Sequence, residues 1–130
     1  MYYQKRIYVY CTYSFEAIHR WSNCNIEEVE FLKYPHRHKF NCRVKVEVNH
    51  NDRDIEFIVL SRRLKEFINA NILNDCSDIG TLSCEMIAEK IFDYFNLLYP
   101  NKNYWEIEVN EDGENGAILN FYKNGDDYNV

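Results

Sequence analysis

Residues 36–48 read HRHKFNCRVKVEV, and this stretch decides the fold. Its even positions carry two histidines and then only apolar side chains, whereas its odd positions are charged or carry an amide. Because side chains alternate across a strand, the pattern predicts a long strand with one face in the core. The two histidines lie at one end of that face. Residues 49–52 (NHND) then supply a turn.

Residues 7–19 show the same alternation. The odd positions are mostly apolar and end at His19, and the even positions are more polar. Near the other end of the chain, Trp105, Ile107, Val109 and Glu111 share one face of a third predicted strand. Residues 112–116 (DGENG) predict a turn, and residues 117–121 predict a short last strand.

Two helical patterns lie between these pairs of strands. Apolar residues repeat at intervals of three and four over 60–72 and again over 84–98. Residues 74–80 predict a loop between them, and Thr81 or Ser83 is a candidate N-cap of the second helix. The order ββααββ predicts an α+β fold, in which two helices cover the apolar face of a four-stranded antiparallel sheet.

Composition restricts the class of protein. A chain of 130 residues that is 46% apolar and 28% charged predicts one globular domain over residues 1–130. No run approaches the ~20 apolar residues of a membrane span, and the N-terminus resembles no signal peptide. We therefore expect a cytoplasmic protein without a membrane partner. A net charge of −6 argues against nucleic acid as a partner.

The cysteines point to the same compartment. There are five of them, an odd number, and no CxxC pair occurs. This predicts buried thiols in a reducing compartment and not a disulfide framework. The polar tail over residues 124–130 is expected to fray.

Three histidines carry the clearest chemical signal. His36 and His38 lie on one strand face, roughly two rises of ~3.3 Å apart, which allows both rings to reach one ion. His19 ends another apolar stripe, and pairing of the two strands would bring it to the same place. Separate core or surface histidines are the alternative. The third histidine favours a zinc site with one open coordination position, as in catalytic zinc centres.

Glu111 is the second notable position. A carboxylate that continues an apolar strand face lies at the rim of the core, where it is costly unless it is paired. It could accept two hydrogen bonds from an N–H beside an NH₂, the edge that pterins and guanine present. Local pattern alone favours the other interpretation, a solvated residue at a strand end.

Several motifs resemble one family. They are Phe15-x-Ala17-x-His19-Arg20, His36-x-His38, Ser83-x-Glu85 at the start of a helix, and Val109-x-Glu111. In this order and spacing they resemble the 6-pyruvoyl-tetrahydropterin and 6-carboxy-tetrahydropterin synthases. The resemblance implies a T-fold and a homo-oligomer, commonly a hexameric barrel assembly. It also implies zinc on the three histidines and a pterin or purine-like ligand held by Glu111, with Ser83 and Glu85 also at the ligand site.

The departures from the family fall on its catalytic residues. Arg37 replaces the usual glycine between the two histidines, and residues 31–35 contain no catalytic cysteine. Asn69-Ala70 stands where the family has Asp-His, and Leu60-Ser61 where it has Asp-Phe. Glu30 lies six residues before His36, and in one branch of the family a glutamate there takes the role of the cysteine. Glu30 is therefore the candidate proton carrier, and Cys24 in the same segment is the second candidate.

These departures leave three functions open. The first is a zinc-dependent lyase or synthase with altered catalytic residues, acting on a pterin or a related purine-derived ligand. The second is a non-catalytic zinc protein that binds a pterin, a deazapurine or a nucleotide. The third is a domain in which zinc is only structural, so that Glu30 and Glu111 would both be replaceable. We rank them in that order.

Overall fold

The predicted ββααββ order is confirmed in a computed structural model, which describes residues 2–125. Most of the predicted polar tail, from residue 126 on, lies outside the described residues. Within them, no helix is long and apolar enough to cross a bilayer. The strands and helices are β1 (Ile7–His19), β2 (His36–Val48), α1 (Phe57–Phe67), α2 (Cys84–Leu98), β3 (Tyr104–Glu111) and β4 (Asn115–Tyr122).

The sheet is antiparallel throughout, with the strand order β1-β2-β3-β4. Its register places His19 opposite His36, and Ala17 opposite His38. Phe40 lies opposite Glu111 on the other side of β2. The C-terminal ends of β1 and β3 and the N-terminal end of β2 therefore meet at one end of the sheet, and each of these strand ends carries a predicted site residue.

Both helices cover the apolar face of the sheet, as the sequence patterns predict. Leu60 and Leu64 of α1, and Ile87 and Ile91 of α2, are completely buried against the strand side chains. Ser83 is the N-cap of α2, and its Oγ accepts a hydrogen bond from the Met86 N–H. Such a cap contributes ~1 kcal/mol and fixes where α2 begins, beside the histidines.

The structure differs from the sequence predictions in three places. The helical pattern over 60–72 is α-helical only as far as Phe67, and Ile68–Leu73 form a π-helix that Asn74 ends in the left-handed conformation. A 3-10 helix at Glu27–Lys33 lies in the segment between β1 and β2, where no element is predicted. The turn after β3 is shorter than predicted, because β4 begins at Asn115.

A close backbone contact explains the shorter turn. Gly116 pairs with Asn110 in the ladder, and a Cβ at Gly116 would lie 2.4 Å from the carbonyl oxygen of Val109. Only glycine fits there. The sequence pattern predicts a turn residue at Gly116, but Gly116 lies in β4, where two backbones approach closely.

Candidate metal centre and ligand cavity

The three predicted histidines converge. One ring nitrogen from each of His19, His36 and His38 lies within 4.8 Å of the other two. The ring centroid of His19 is 4.6 Å from that of His36 and 5.4 Å from that of His38. The centroids of His36 and His38 are 5.0 Å apart. Phe40 lies beneath them, with its ring edge-on to His19 at 5.1 Å. The strand register therefore brings together residues that are distant in sequence.

Each imidazole is held by a hydrogen bond at Nδ1. The partner of His19 is the carbonyl oxygen of Leu82 at 2.7 Å, and that of His36 is the carbonyl oxygen of Tyr34 at 2.8 Å. His38 bonds a carboxylate oxygen of Asp112 at 2.6 Å. A carbonyl and an ionised carboxylate only accept hydrogen bonds, so all three Nδ1 atoms carry the proton. The three Nε2 atoms are left with lone pairs.

These nitrogens fit a cation. His19 Nε2 is buried and has no hydrogen-bond partner among the described residues. A carboxylate oxygen of Glu111 lies 3.0 Å from it, and the other oxygen lies 3.7 Å from His38 Nε2. When the rings are neutral, lone pairs and a negative charge face one another, which is unfavourable unless a positive charge lies among them. Three neutral imidazole nitrogens with tied Nδ1 atoms are the donor set of zinc centres.

Asp112 is ionised in this arrangement. The Lys39 N–H donates to its Oδ1 at 2.9 Å, and this bond together with the bond from His38 lowers the pKa of the Asp112 carboxyl below its ordinary value. Because its pKa is lowered, the Asp112 carboxyl stays ionised over the neutral range. It accepts the hydrogen bond from His38 and leaves the proton on Nδ1.

A cavity of about 480 Å³ opens beside the histidines. This volume falls in the ~300–1,000 Å³ range of small-molecule sites. All three predicted ligand-binding residues, Ser83, Glu85 and Glu111, line the cavity together with His19 and His36. Its apolar lining comes from residues that the sequence analysis did not select: Trp21, Leu32, Leu82 and Met86. The cavity therefore combines an apolar wall with two carboxylates beside the histidine nitrogens.

Cys84 also lines this cavity, at the first position of α2. A helix N-terminus usually favours a thiolate. Here burial dominates, and the carboxylates of Glu111 and Glu85 add to it, so that the pKa of the Cys84 thiol is raised to about 12. The thiol stays protonated at neutral pH and is a poor nucleophile.

The two predicted proton carriers lie elsewhere. Glu30 is on the exposed side of the 3-10 helix, where a carboxylate oxygen is 3.4 Å from Lys33 Nζ, and it is not among the residues that line the cavity. Cys24 is buried, and its thiol donates to the carbonyl oxygens of Ile26 and Val29 at 3.6 Å. Neither side chain is in the cavity, and their catalytic roles stay predictions.

Asp112 and the two carbonyl partners were not found by sequence reasoning. Main-chain carbonyls carry no sequence signal. The sequence pattern places Asp112 in a turn, and an acidic residue directly after Glu111 is the one signal that points to it. Arg37 lies on the opposite face of the sheet, as expected, with its guanidinium 4.0 Å from the Glu16 carboxylate.

No family model matches the sequence, and no curated protein matches it. Solved structures do match. The 6-pyruvoyl tetrahydropterin synthase of Plasmodium falciparum is 20% identical, with a TM-score of 0.67 over 92% of this chain and 100% of that chain. An uncharacterized protein from Wolinella succinogenes is 12% identical, with a TM-score of 0.70 over 89% of this chain and 98% of that one.

The chain has the fold of the 6-pyruvoyl tetrahydropterin synthases. A third structure is a Plasmodium vivax synthase described as a catalytic residue mutant, in which glutamate is replaced by cysteine. It is 14% identical, with a TM-score of 0.64 over 92% of this chain and 100% of that chain. The resemblance predicted from the motifs is thus confirmed at the level of fold.

Proposed function

We propose that this protein is a zinc-dependent, lyase- or synthase-like enzyme that acts on a pterin or a related purine-derived ligand. The convergence of one ring nitrogen from each of the three histidines, beside the cavity that Glu111 lines, is the observation that carries the proposal. Zinc bound there would polarise a carbonyl or hydroxyl oxygen of the ligand. The names of the structurally similar proteins support a pterin as the ligand class.

Glu111 is the proposed ligand anchor. Its carboxylate lines the cavity and is half-buried, so a bidentate pair with an N–H and an NH₂ would be partly shielded from water. Trp21 and Met86 offer apolar surface to a planar ring from other parts of the same cavity. A planar heterocycle with an amidine-like edge could bond the Glu111 carboxylate through that edge and pack its ring on the apolar surface.

Glu30 is the proposed proton carrier in the enzyme. The glutamate named as catalytic in the Plasmodium vivax structures supports a carboxylate in this role. Because Glu30 is exposed in this structure, its participation requires the 3-10 helix at Glu27–Lys33 to bring it toward the cavity. Glu30→Gln should abolish turnover and preserve ligand binding, and Glu28→Gln, on the same exposed helix, is the control. Unchanged turnover in Glu30→Gln would remove Glu30 from the mechanism.

A non-catalytic zinc protein that binds the same ligand class is the second candidate. The position of Glu30 outside the cavity and the protonated Cys84 thiol favour it. Tight ligand binding without any product by mass spectrometry would support this function. A slow, zinc-dependent conversion of the ligand would exclude it.

Two experiments test the site itself. Native mass spectrometry before and after a strong chelator should show about one zinc per chain. Absence of zinc after reconstitution would refute the metal centre.

Calorimetry with pterins and guanine nucleotides should then show binding that Glu111→Gln weakens at least roughly tenfold, because one acceptor becomes a donor. Glu114→Gln removes the same charge from the exposed turn of that hairpin and should bind normally.

We also propose a cytoplasmic homo-oligomer. Strands β1 and β4 are the two edges of the sheet, and exposed edges favour pairing with another copy. Light scattering at micromolar concentration checks the assembly, and a monomer would contradict it.

A further inference from the structure

Asp112 differs from the other groups that hold the histidines. His19 and His36 donate to main-chain carbonyls, which no substitution of one side chain removes. His38 alone depends on a side chain, the Asp112 carboxylate, 74 positions away in sequence. The tautomer of this one imidazole is therefore set by a residue that can be changed.

The backbone places Asp112 for this contact. Strand alternation would send the side chain after Glu111 to the opposite face of the sheet. Instead, Asp112 has φ +61°, in the left-handed region, and its N–H donates to the Lys39 carbonyl oxygen at 2.7 Å. Its Oδ1 accepts from the Lys39 N–H at 2.9 Å. The N–H and Oδ1 of Asp112 thus bond both backbone groups of Lys39. The remaining carboxylate oxygen, Oδ2, accepts the hydrogen bond from His38.

We propose that Asp112 is a positioning residue for the metal centre, which keeps the proton of His38 on Nδ1 and so leaves Nε2 free to bind the ion. This inference rests on the proposed function, since it concerns the same site. The carboxylate also fixes the orientation of the ring, as carboxylates that hold metal-binding histidines do. Asp112 is neither one of the three histidines that could hold the ion nor one of the residues that line the cavity, so it would act through His38.

The test is Asp112→Asn. Asparagine tolerates the left-handed conformation, so the turn is kept. If the amide oxygen keeps the bond from Lys39, the NH₂ group faces His38 Nδ1 and drives its proton to Nε2. Zinc affinity, measured by competition with a chromophoric chelator, should fall roughly 10–100-fold. Glu114→Gln removes an equal charge two positions further along the same turn and should leave the affinity unchanged.

Two further readouts separate this role from a merely structural one. Nitrogen-15 spectra of the metal-free protein should show His38 protonated at Nδ1 in the parent and at Nε2 in Asp112→Asn. In a His38→Ala background, Asp112→Asn should cause no additional loss of zinc affinity. Equal zinc affinity in Asp112→Asn and parent would overturn the inference while the metal centre stands. Failure of the parent to bind zinc would refute the proposed function, and the tautomer spectra would still decide whether Asp112 sets the proton of His38.

Discussion

Replacing Phe40 with alanine should damage both the core and the histidine cluster. Phe40 is completely buried, stacks on Phe15 with a centroid separation of 5.4 Å, and lies edge-on beneath His19 and His38 at 5.1 and 6.0 Å. Truncation of a buried phenylalanine costs ~3–5 kcal/mol. Its three ring contacts place Phe40 in the upper half of that range. We therefore expect a loss of about 4 kcal/mol, and a fall in Tm of roughly 10–20 °C.

The assay is urea unfolding of the metal-free protein, followed by zinc titration of the folded variant. Zinc affinity should fall as well, because two imidazoles lose the surface on which they rest. Phe31→Ala is the matched control. It makes the same chemical change at a phenylalanine that is 66% exposed, where we expect a change within ~0.5 kcal/mol. A loss below ~1 kcal/mol in Phe40→Ala, or an equal loss in both variants, would refute the packing described here.

Two further predictions follow from the titratable groups. The pKa of Asp54 is lowered chiefly by its hydrogen bond from Lys102. Its contribution to stability is therefore complete above the ordinary pKa of 3.8 and is lost as pH falls through the lower folded value. Urea midpoints should drop as pH falls below about 4, and they should drop less in Asp54→Asn. Burial raises the pKa of Cys11, Cys42 and Cys84 to about 12, whereas Cys76 is exposed. A thiol reagent should therefore modify about one thiol quickly in the native protein, and all five only after unfolding. Rapid modification of Cys84 would contradict its burial.

The sequence predicts the sheet well because alternation is a strong signal in long amphipathic strands. Both ends of β1 and β2 fall where the pattern places them, and this register brings His19 beside His36. The π-helix at Ile68–Leu73 could not be predicted in the same way. Its buried residues, Ile68 and Ile72, are four apart, a spacing that also fits an α-helix. The bond from the Asn74 N–H to the carbonyl of Asn69, five residues earlier, shows the wider turn.

Some residues of the candidate site can be predicted from the sequence and others cannot, for a similar reason. Residues that continue a strand face, such as Glu111, could be predicted because their direction follows from the strand. The direction of the Asp112 side chain could not be predicted in this way, since one left-handed residue reverses the direction that alternation gives it. Glu30 is predicted from its distance in sequence to His36, but residues 20–35 form no strand, so that distance does not fix where its side chain lies. The packing of the 3-10 helix decides it, partly through the buried thiol of Cys24.

Two of the three hydrogen bonds at the histidine Nδ1 atoms join residues from opposite halves of the chain. His19 bonds a carbonyl 63 positions away, and His38 bonds a carboxylate 74 positions away. Such contacts close long loops, so we expect them to form late in folding, after the sheet has assembled. An ion held there would leave the folding rate almost unchanged and would chiefly slow unfolding. Loss of the ion in a cell would then shorten the lifetime of the native protein without preventing new chains from reaching it.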